Sequence, residues 1–175
     1  LAIVWRWKTA SLGGPTENNW QVTPLAVDGT LYFTAGPLPS VVALDAASGD
    51  TEWTWKLDEG ERGTRVPRVN NRGLAYWSDG GRNKRVIMIT PGYQMVSLNA
   101  ETGKPDPAFG KDGVVDLWEG LDYKVELNQI GSSSPAMIVG DVAIVGSALQ
   151  SGTAPRVTAN VPGHGRGYQV GSGKM

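Results

Sequence analysis

A six-residue turn occurs twice in almost the same form. It reads Asp45-Ala46-Ala47-Ser48-Gly49-Asp50 and, 54 residues later, Asn99-Ala100-Glu101-Thr102-Gly103-Lys104. In each, an Asp or Asn side chain can cap the turn, and a Gly supplies the positive φ that closes it. Each follows a short apolar run, Ser40 to Leu44 in the first copy and Met95 to Leu98 in the second. Upstream of the first lies the strongest short hairpin signal a sequence can carry: Gln21 to Val27, then Asp28-Gly29, then Thr30 to Phe33. Thr51 to Leu57 supplies a further strand, so four short antiparallel strands fill one unit. The unit recurs. Pro67, Gly73 and Leu74-Ala75-Tyr76 repeat Pro24, Gly29 and Leu31-Tyr32-Phe33 at offsets of 43 to 44 residues, followed by Val86 to Thr90 and Met95 to Leu98. A third copy starts at Ser134-Pro135-Ala136 and reaches Tyr168-Gln169-Val170-Gly171-Ser172-Gly173-Lys174. Repeats of this length with four strands each specify an all-β β-propeller.

The expected architecture is therefore a β-propeller fragment of about three four-stranded antiparallel blades. The units run over roughly 20–57, 65–104 and 132–175, and Leu1 to Thr9 forms a strand of a preceding or closing blade. Three blades do not close a propeller, which takes typically four to eight, so missing blades of the parent chain are expected partners. Composition agrees: 24 Gly and 11 Pro mean many turns and few long helices, and seven Trp suit periodic sheet-on-sheet packing. At most one helical turn is expected, at Asp116 to Val125.

Several chemistries fall away. With no Cys, thiolate catalysis, disulfides and Cys-type zinc sites are excluded, and one His, His164, allows no His-pair metal site. A net charge of −1 without a Lys/Arg cluster gives no reason to expect nucleic acid. No apolar run is long enough to span a membrane, and no signal segment opens the chain. Asp79-Gly80-Gly81-Arg82 lacks the spacing of a phosphate cradle. His164, Asp112 and Asp116 read as loop residues.

One stretch points to a ligand. In Asn70-Asn71-Arg72-Gly73-Leu74-Ala75-Tyr76-Trp77, an Asn-Arg-Gly turn stands at a strand's entrance and can aim a guanidinium inward. A planar cation there suits an anion, because its fork binds a carboxylate through two parallel hydrogen bonds. On an extended strand Arg68 and Arg72 share a face, with Arg65 opposite. A solvated Arg in a hairpin loop is the alternative.

The turn continued as Ala43-Leu44-Asp45-Ala46-Ala47-Ser48-Gly49-Asp50-Thr51-Glu52-Trp53 resembles the tryptophan-docking repeat of the quinoprotein dehydrogenases, propeller enzymes that use pyrroloquinoline quinone (PQQ). In the second copy Pro105 to Phe109 replaces the expected Glu-x-Trp, so docking is altered; the third has Gln169 where Asp would sit. Asn71 to Trp77 looks like the second-blade segment of the large PQQ-dependent alcohol and glucose dehydrogenases.

The resemblance implies an eight-bladed parent and a PQQ cradle. Arg72 matches the arginine that grips a PQQ carboxylate, Gln21 sits near the quinone side, and Ser132 and Ser147 match hydroxyl positions at the cofactor. Adjacent cysteines of the alcohol branch are replaced by Val66 and Pro67, and a Glu metal ligand by Pro162. These departures favour the glucose-dehydrogenase-like branch. The resemblance further implies alcohol or aldose sugar substrates, a quinone or cytochrome acceptor, and Ca²⁺ or Mg²⁺ in the intact enzyme. It also implies a periplasmic location, with membrane attachment in some members. The family's catalytic Asp lies further along than Met175, so no catalytic residue is expected here and the fragment is expected to be inactive. A non-catalytic propeller scaffold for protein contacts is the alternative, and it has no need of Arg72 or Gln21 at an axis.

Overall fold

The computed structural model describes residues 2–13, 20–36, 40–65, 71–127, 129–149 and 163–175. Three antiparallel sheets follow one another along the chain. Sheet I is an up-and-down meander of β1 (Leu25–Val27), β2 (Thr30–Ala35), β3 (Ser40–Asp45) and β4 (Thr51–Lys56). A single helical turn, α1 (Glu61–Thr64), leads to sheet II, which contains β5 (Ala75–Ser78), β6 (Lys84–Ile89), β7 (Gln94–Asn99) and β8 (Val114–Asp116) in the same order. A two-stranded pair, β9 (Ile130–Gly131) with β12 (Ala148–Leu149), flanks sheet III. Sheet III holds β10 (Met137–Val139), β11 (Val142–Val145) and β13 (Arg166–Gln169), three strands among the described residues.

The sheets stack face to face, because alternation along each strand makes one face apolar towards each neighbour. Val41, Ala43, Tyr32 and Trp53 of sheet I meet Val86, Met88, Val96 and Leu98 of sheet II. The opposite face of sheet II, with Ile87, Ile89 and Met95, meets Ala143, Val145 and Tyr168 of sheet III. Adjacent first strands come together at one end, where Thr23 forms a parallel bridge with Gly73. Meanders whose first strands converge while their faces stack are blades of a propeller.

The turn motif repeats in detail. Gly49, Gly103 and Gly173 donate to the carbonyls of Asp45, Asn99 and Gln169 at 2.8, 2.9 and 2.7 Å. Asp45 Oδ1 takes the N–H groups of Ser48 and Ala47 at 2.7 and 2.9 Å. Those donors hold the Asp45 carboxyl below its ordinary value, Ser48 contributing most. Across each seam an aromatic ring lies on the next blade's Gly. Trp53 Nε1 donates to Ala100 O at 3.0 Å, and its ring covers Gly103 so closely that a Cβ there would lie 2.5 Å from Cε3. Trp5 does the same for sheet I, donating to Ala46 O at 3.2 Å over Gly49.

Several expectations are corrected. Ala2 to Lys8 pairs with no strand among the described residues; the segment lays Trp5, Trp7 and Leu12 against the outer face of sheet I and ends in a 3₁₀ turn, Thr9–Leu12. Within this chain the alternation around two tryptophans serves docking on sheet I. The fourth strand of sheet II lies at Val114–Asp116, beyond the expected unit 65–104, because Pro105 to Gly113 form turns that delay it. Asp116 to Val125 contains turns but no helix, and the one α-helical turn lies at Glu61–Thr64. Val66, Pro67, Arg68, Asn70 and Pro162 lie outside the described residues.

At the seam between sheets II and III, where the docking Trp is missing, Arg85 takes its place. Arg85 Nη1 donates to Val170 O at 2.7 Å, the carbonyl equivalent to Ala46 O and Ala100 O. Its guanidinium is buried, ion-paired with Asp106, and Val115 together with Phe109 packs on Gly173 in place of an indole.

Candidate functional site: the entrances of the inner strands

In a meander the first strand begins, the second ends and the fourth ends on one side of the sheet. That end of the molecule therefore gathers Gln21 to Thr23, Asn71 to Gly73 and Ser132 to Ser134, together with the turn Thr90 to Tyr93 and the exit of β8. Backbone bonds tie the three entrances into a row. Thr23 N donates to Arg72 O at 3.0 Å, and Arg72 N donates to Ser133 O at 2.8 Å. Gly73 has φ +148, and a Cβ there would sit 3.0 Å from Thr23 O, so only Gly permits this approach.

All four candidate residues stand at this end. Arg72 is exposed, and among the described residues its guanidinium makes no hydrogen bond or ion pair. Gln21 is exposed two residues before the Thr23–Gly73 bridge. Ser132 is buried, and its hydroxyl is engaged by its own turn, donating to Ser134 O at 3.2 Å and accepting Ser134 N–H at 3.3 Å. Ser147 is half-buried and accepts the backbone N–H of His164 at 3.3 Å. The register that pairs Gly131 with Ala148 puts Ser132 and Ser147 opposite each other one residue further on. Among the described residues Arg72 and Gln21 thus have free polar ends, whereas both serine hydroxyls already have structural partners.

The same end carries a polar network that sequence reasoning missed. Arg62, from α1, grips Asp116 through two bonds, Nη1 to Oδ2 at 2.8 Å and Nη2 to Oδ1 at 2.6 Å. It also donates to Gly92 O at 2.5 Å and Tyr93 O at 3.2 Å and lies over the Trp118 ring at 4.2 Å. Burial opposes the Asp116 charge, but the Arg62 bonds and the Trp118 N–H outweigh it, and the carboxyl lies below its ordinary value. Glu59 beside it takes the Thr90 hydroxyl and the Gly92 N–H, the latter at 3.0 Å. Burial dominates there and raises the Glu59 carboxyl despite those donors and Arg62. Asp116 is thus no solvated loop residue. Nor is His164 fully exposed: it stacks on Tyr123 at 5.8 Å. The network joins residues 54 apart in the chain, with no local pattern to announce it.

Stacked antiparallel blades, docking aromatics on turn glycines, and an arginine unpaired among the described residues at converging first strands define a propeller with a polar axial end. The model of the PQQ-dependent glucose/ethanol/alcohol dehydrogenase β-propeller domain matches residues 1–175. The chain belongs to that family. It is 29% identical to the quinate/shikimate dehydrogenase (quinone) of Acinetobacter baylyi and 26% identical to the quinoprotein glucose dehydrogenase of Escherichia coli. Both alignments cover all of this chain and 24% and 23% of those proteins, so the chain spans about a quarter of their length. Among solved structures it superposes on the quinohemoprotein alcohol dehydrogenase ADH-IIG of Pseudomonas putida with a TM-score of 0.67. That identity is 23%, with 89% of this chain and 20% of the other covered. The corresponding enzyme of Comamonas testosteroni gives 0.65 at 22% identity over 89% and 20%. These likenesses fix the fold as a piece of a PQQ-type propeller.

Proposed function

We propose that this chain is the N-terminal part of a PQQ-dependent dehydrogenase that oxidises an alcohol or aldose sugar in the periplasm and passes electrons to a quinone or cytochrome. The observation that carries the reading is the Arg72 guanidinium, exposed and unpaired among the described residues, on a backbone tied to the entrances of both neighbouring blades. A fixed cation with five donors fits a tricarboxylate quinone, which would supply the two-electron acceptor when bound. Gln21, also free among the described residues, fits a second polar contact. Ser132 and Ser147 would line the site, releasing their present partners or bonding through their remaining lone pairs.

The substrate class follows relatives named for glucose, glycerol and quinate or shikimate, all polyhydroxylated. The ion, Ca²⁺ or Mg²⁺, and the base would come from later blades. Those blades have a seat here: Met137, Val139, Val142 and Ile144 make an exposed apolar face on sheet III. Met137, Val139 and Ile144 match Leu25, Val27 and Tyr32, which sheet I turns towards sheet II.

The test is PQQ affinity in the full-length protein. Arg72→Ala should weaken it roughly ten- to a hundredfold, the worth of a charge-assisted contact, and Arg72→Lys should recover only part. Unchanged affinity in Arg72→Ala would end the reading. The 175-residue chain alone, mixed with PQQ and Ca²⁺, should reduce no dye with glucose or ethanol.

A further inference from the structure

Among the described residues the Arg72 guanidinium makes no hydrogen bond or ion pair, so what aims it there acts through its backbone. The neighbouring Asn71 is built for that. It is buried, 7% exposed, and every polar atom of its carboxamide is directed at a different element. Nδ2 donates to Ile89 O at 2.7 Å, at the end of β6 in its own blade. Oδ1 accepts Gly73 N–H at 2.9 Å, closing a local turn around Arg72. The Thr34 hydroxyl, from β2 of the preceding blade, lies 3.4 Å from both Asn71 Oδ1 and Asn71 O. One amide thus bridges two blades and folds the backbone over the residue between its contacts. The third blade joins through Arg72 N to Ser133 O at 2.8 Å.

We infer that Asn71 is a positioning residue for anion binding: its carboxamide sets the direction of Arg72 and so the affinity for a carboxylate-bearing quinone. This rests on the reading of Arg72 given above. The chemistry requires an amide. A Leu would fill the volume but strand Ile89 O and Gly73 N–H, and an Asp would lose the donor to Ile89 O while placing a competing anion beside Arg72. Thr34 adds a second fix, since its hydroxyl limits how the amide can rotate.

The experiment is a double-mutant cycle on PQQ affinity, measured by calorimetry on the apo form of the full-length protein. The variants are Asn71→Ala, Arg72→Ala and both together. Asn71→Ala should weaken PQQ binding roughly tenfold or more in the presence of Arg72 and change it little in the Arg72→Ala background. A residue that merely stabilises the fold would weaken binding by the same factor in both backgrounds, and that result overturns the inference. An unchanged affinity in Asn71→Ala overturns it too. If Arg72→Ala itself leaves affinity untouched, the underlying reading of the site fails, and the inference with it. Should Asn71→Ala not fold, the near-isosteric Thr34→Val takes its place in the cycle: coupling to Arg72 supports the inference, and equal effects in both backgrounds refute it.

Discussion

Gly103→Ala tests the docking that joins sheets I and II, and Gly29→Ala is its internal control. Both glycines lie in the left-handed region, at φ +68 and +85, so an alanine at either carries a backbone cost of about 1–2 kcal/mol. At Gly29 the new methyl meets nothing within 4 Å, and the backbone cost is all there is. At Gly103 it would lie 2.5 Å from Trp53 Cε3 and 2.6 Å from Cδ2. Ordinary carbon contacts are about 3.5–4.0 Å, so the indole must retreat by about 1 Å or more. That motion stretches the 3.0 Å bond from Trp53 Nε1 to Ala100 O, worth about 1 kcal/mol, and loosens the tilted packing on Tyr32 at 5.9 Å. With lost dispersion, Gly103→Ala should cost about 2 kcal/mol more than Gly29→Ala. For a chain of this size that is about 4–8 °C in melting temperature. Urea unfolding of the 175-residue chain, followed by circular dichroism and tryptophan fluorescence, measures both. In a Trp53→Ala background the excess should vanish, leaving the two glycine changes equal. Equal costs in the parent chain would refute the reasoning, because Trp53 would then be a spectator.

Arg85→Met should destabilise the same chain by about 2–4 kcal/mol, since it leaves the half-buried Asp106 without its cation and Val170 O without a donor. Arg85→Met/Asp106→Leu, compared by the same urea titration, should recover a large part of that loss. Glu59 has the opposite polarity to a stabilising ion pair. Its folded-state proton affinity is raised above the ordinary 4.5, so its contribution is present below that value and is lost as pH climbs through the raised one. Glu59→Gln should therefore gain on the parent as pH rises across that window in paired pH-dependent melts; a gain that grows towards acid would contradict the desolvated carboxyl. The exposed face of sheet III should make the isolated chain self-associate, and Met137→Thr/Ile144→Thr, a cross-strand pair, should suppress this in analytical ultracentrifugation.

The repeat was legible because each blade announces itself locally. Asp28-Gly29 forces a two-residue hairpin, and the Asp/Asn-to-Gly turn forces the next reversal; both needs are met within six residues, so they survive any tertiary context. Strand alternation likewise reads directly as which face meets which blade. Illegible were the features whose cause lies in another blade. Trp5 and Trp7 alternate as strand residues would, yet that pattern serves a surface, and nothing near them states whether the neighbour is a strand edge or a sheet face. Arg85 carries no local sign that it stands in for an indole; only the missing Trp near residue 107 hints at a vacancy, and the replacement comes from the second strand of the blade rather than the fourth.

The candidate site divides along the same line. Arg72 could be singled out because Asn-Arg-Gly dictates its own turn: Gly73 must be glycine for Thr23 to approach, and the Asn71 amide caps Gly73 within the same three residues. What the sequence could not show is that Ser132, also picked out, spends its hydroxyl on Ser134, or that Arg62 rather than Arg65 holds the network at the axial end. Among the described residues Arg65 pairs with Glu61, four residues away at 3.7 Å and largely in solvent, where such a pair contributes about 0–1 kcal/mol. Arg62 meets Asp116, Gly92 and Trp118, three contacts that exist only once α1 has folded back onto sheet II. This chain gives Arg62, Arg85 and Arg166 carbonyl or carboxylate partners within itself, and Arg72 none among the described residues. Arg6 and Arg82 likewise show no side-chain partner among the described residues; what sets Arg72 apart is its backbone, tied to the entrances of both neighbouring blades. An anionic partner from outside the chain is what the proposed site would supply to a guanidinium held there.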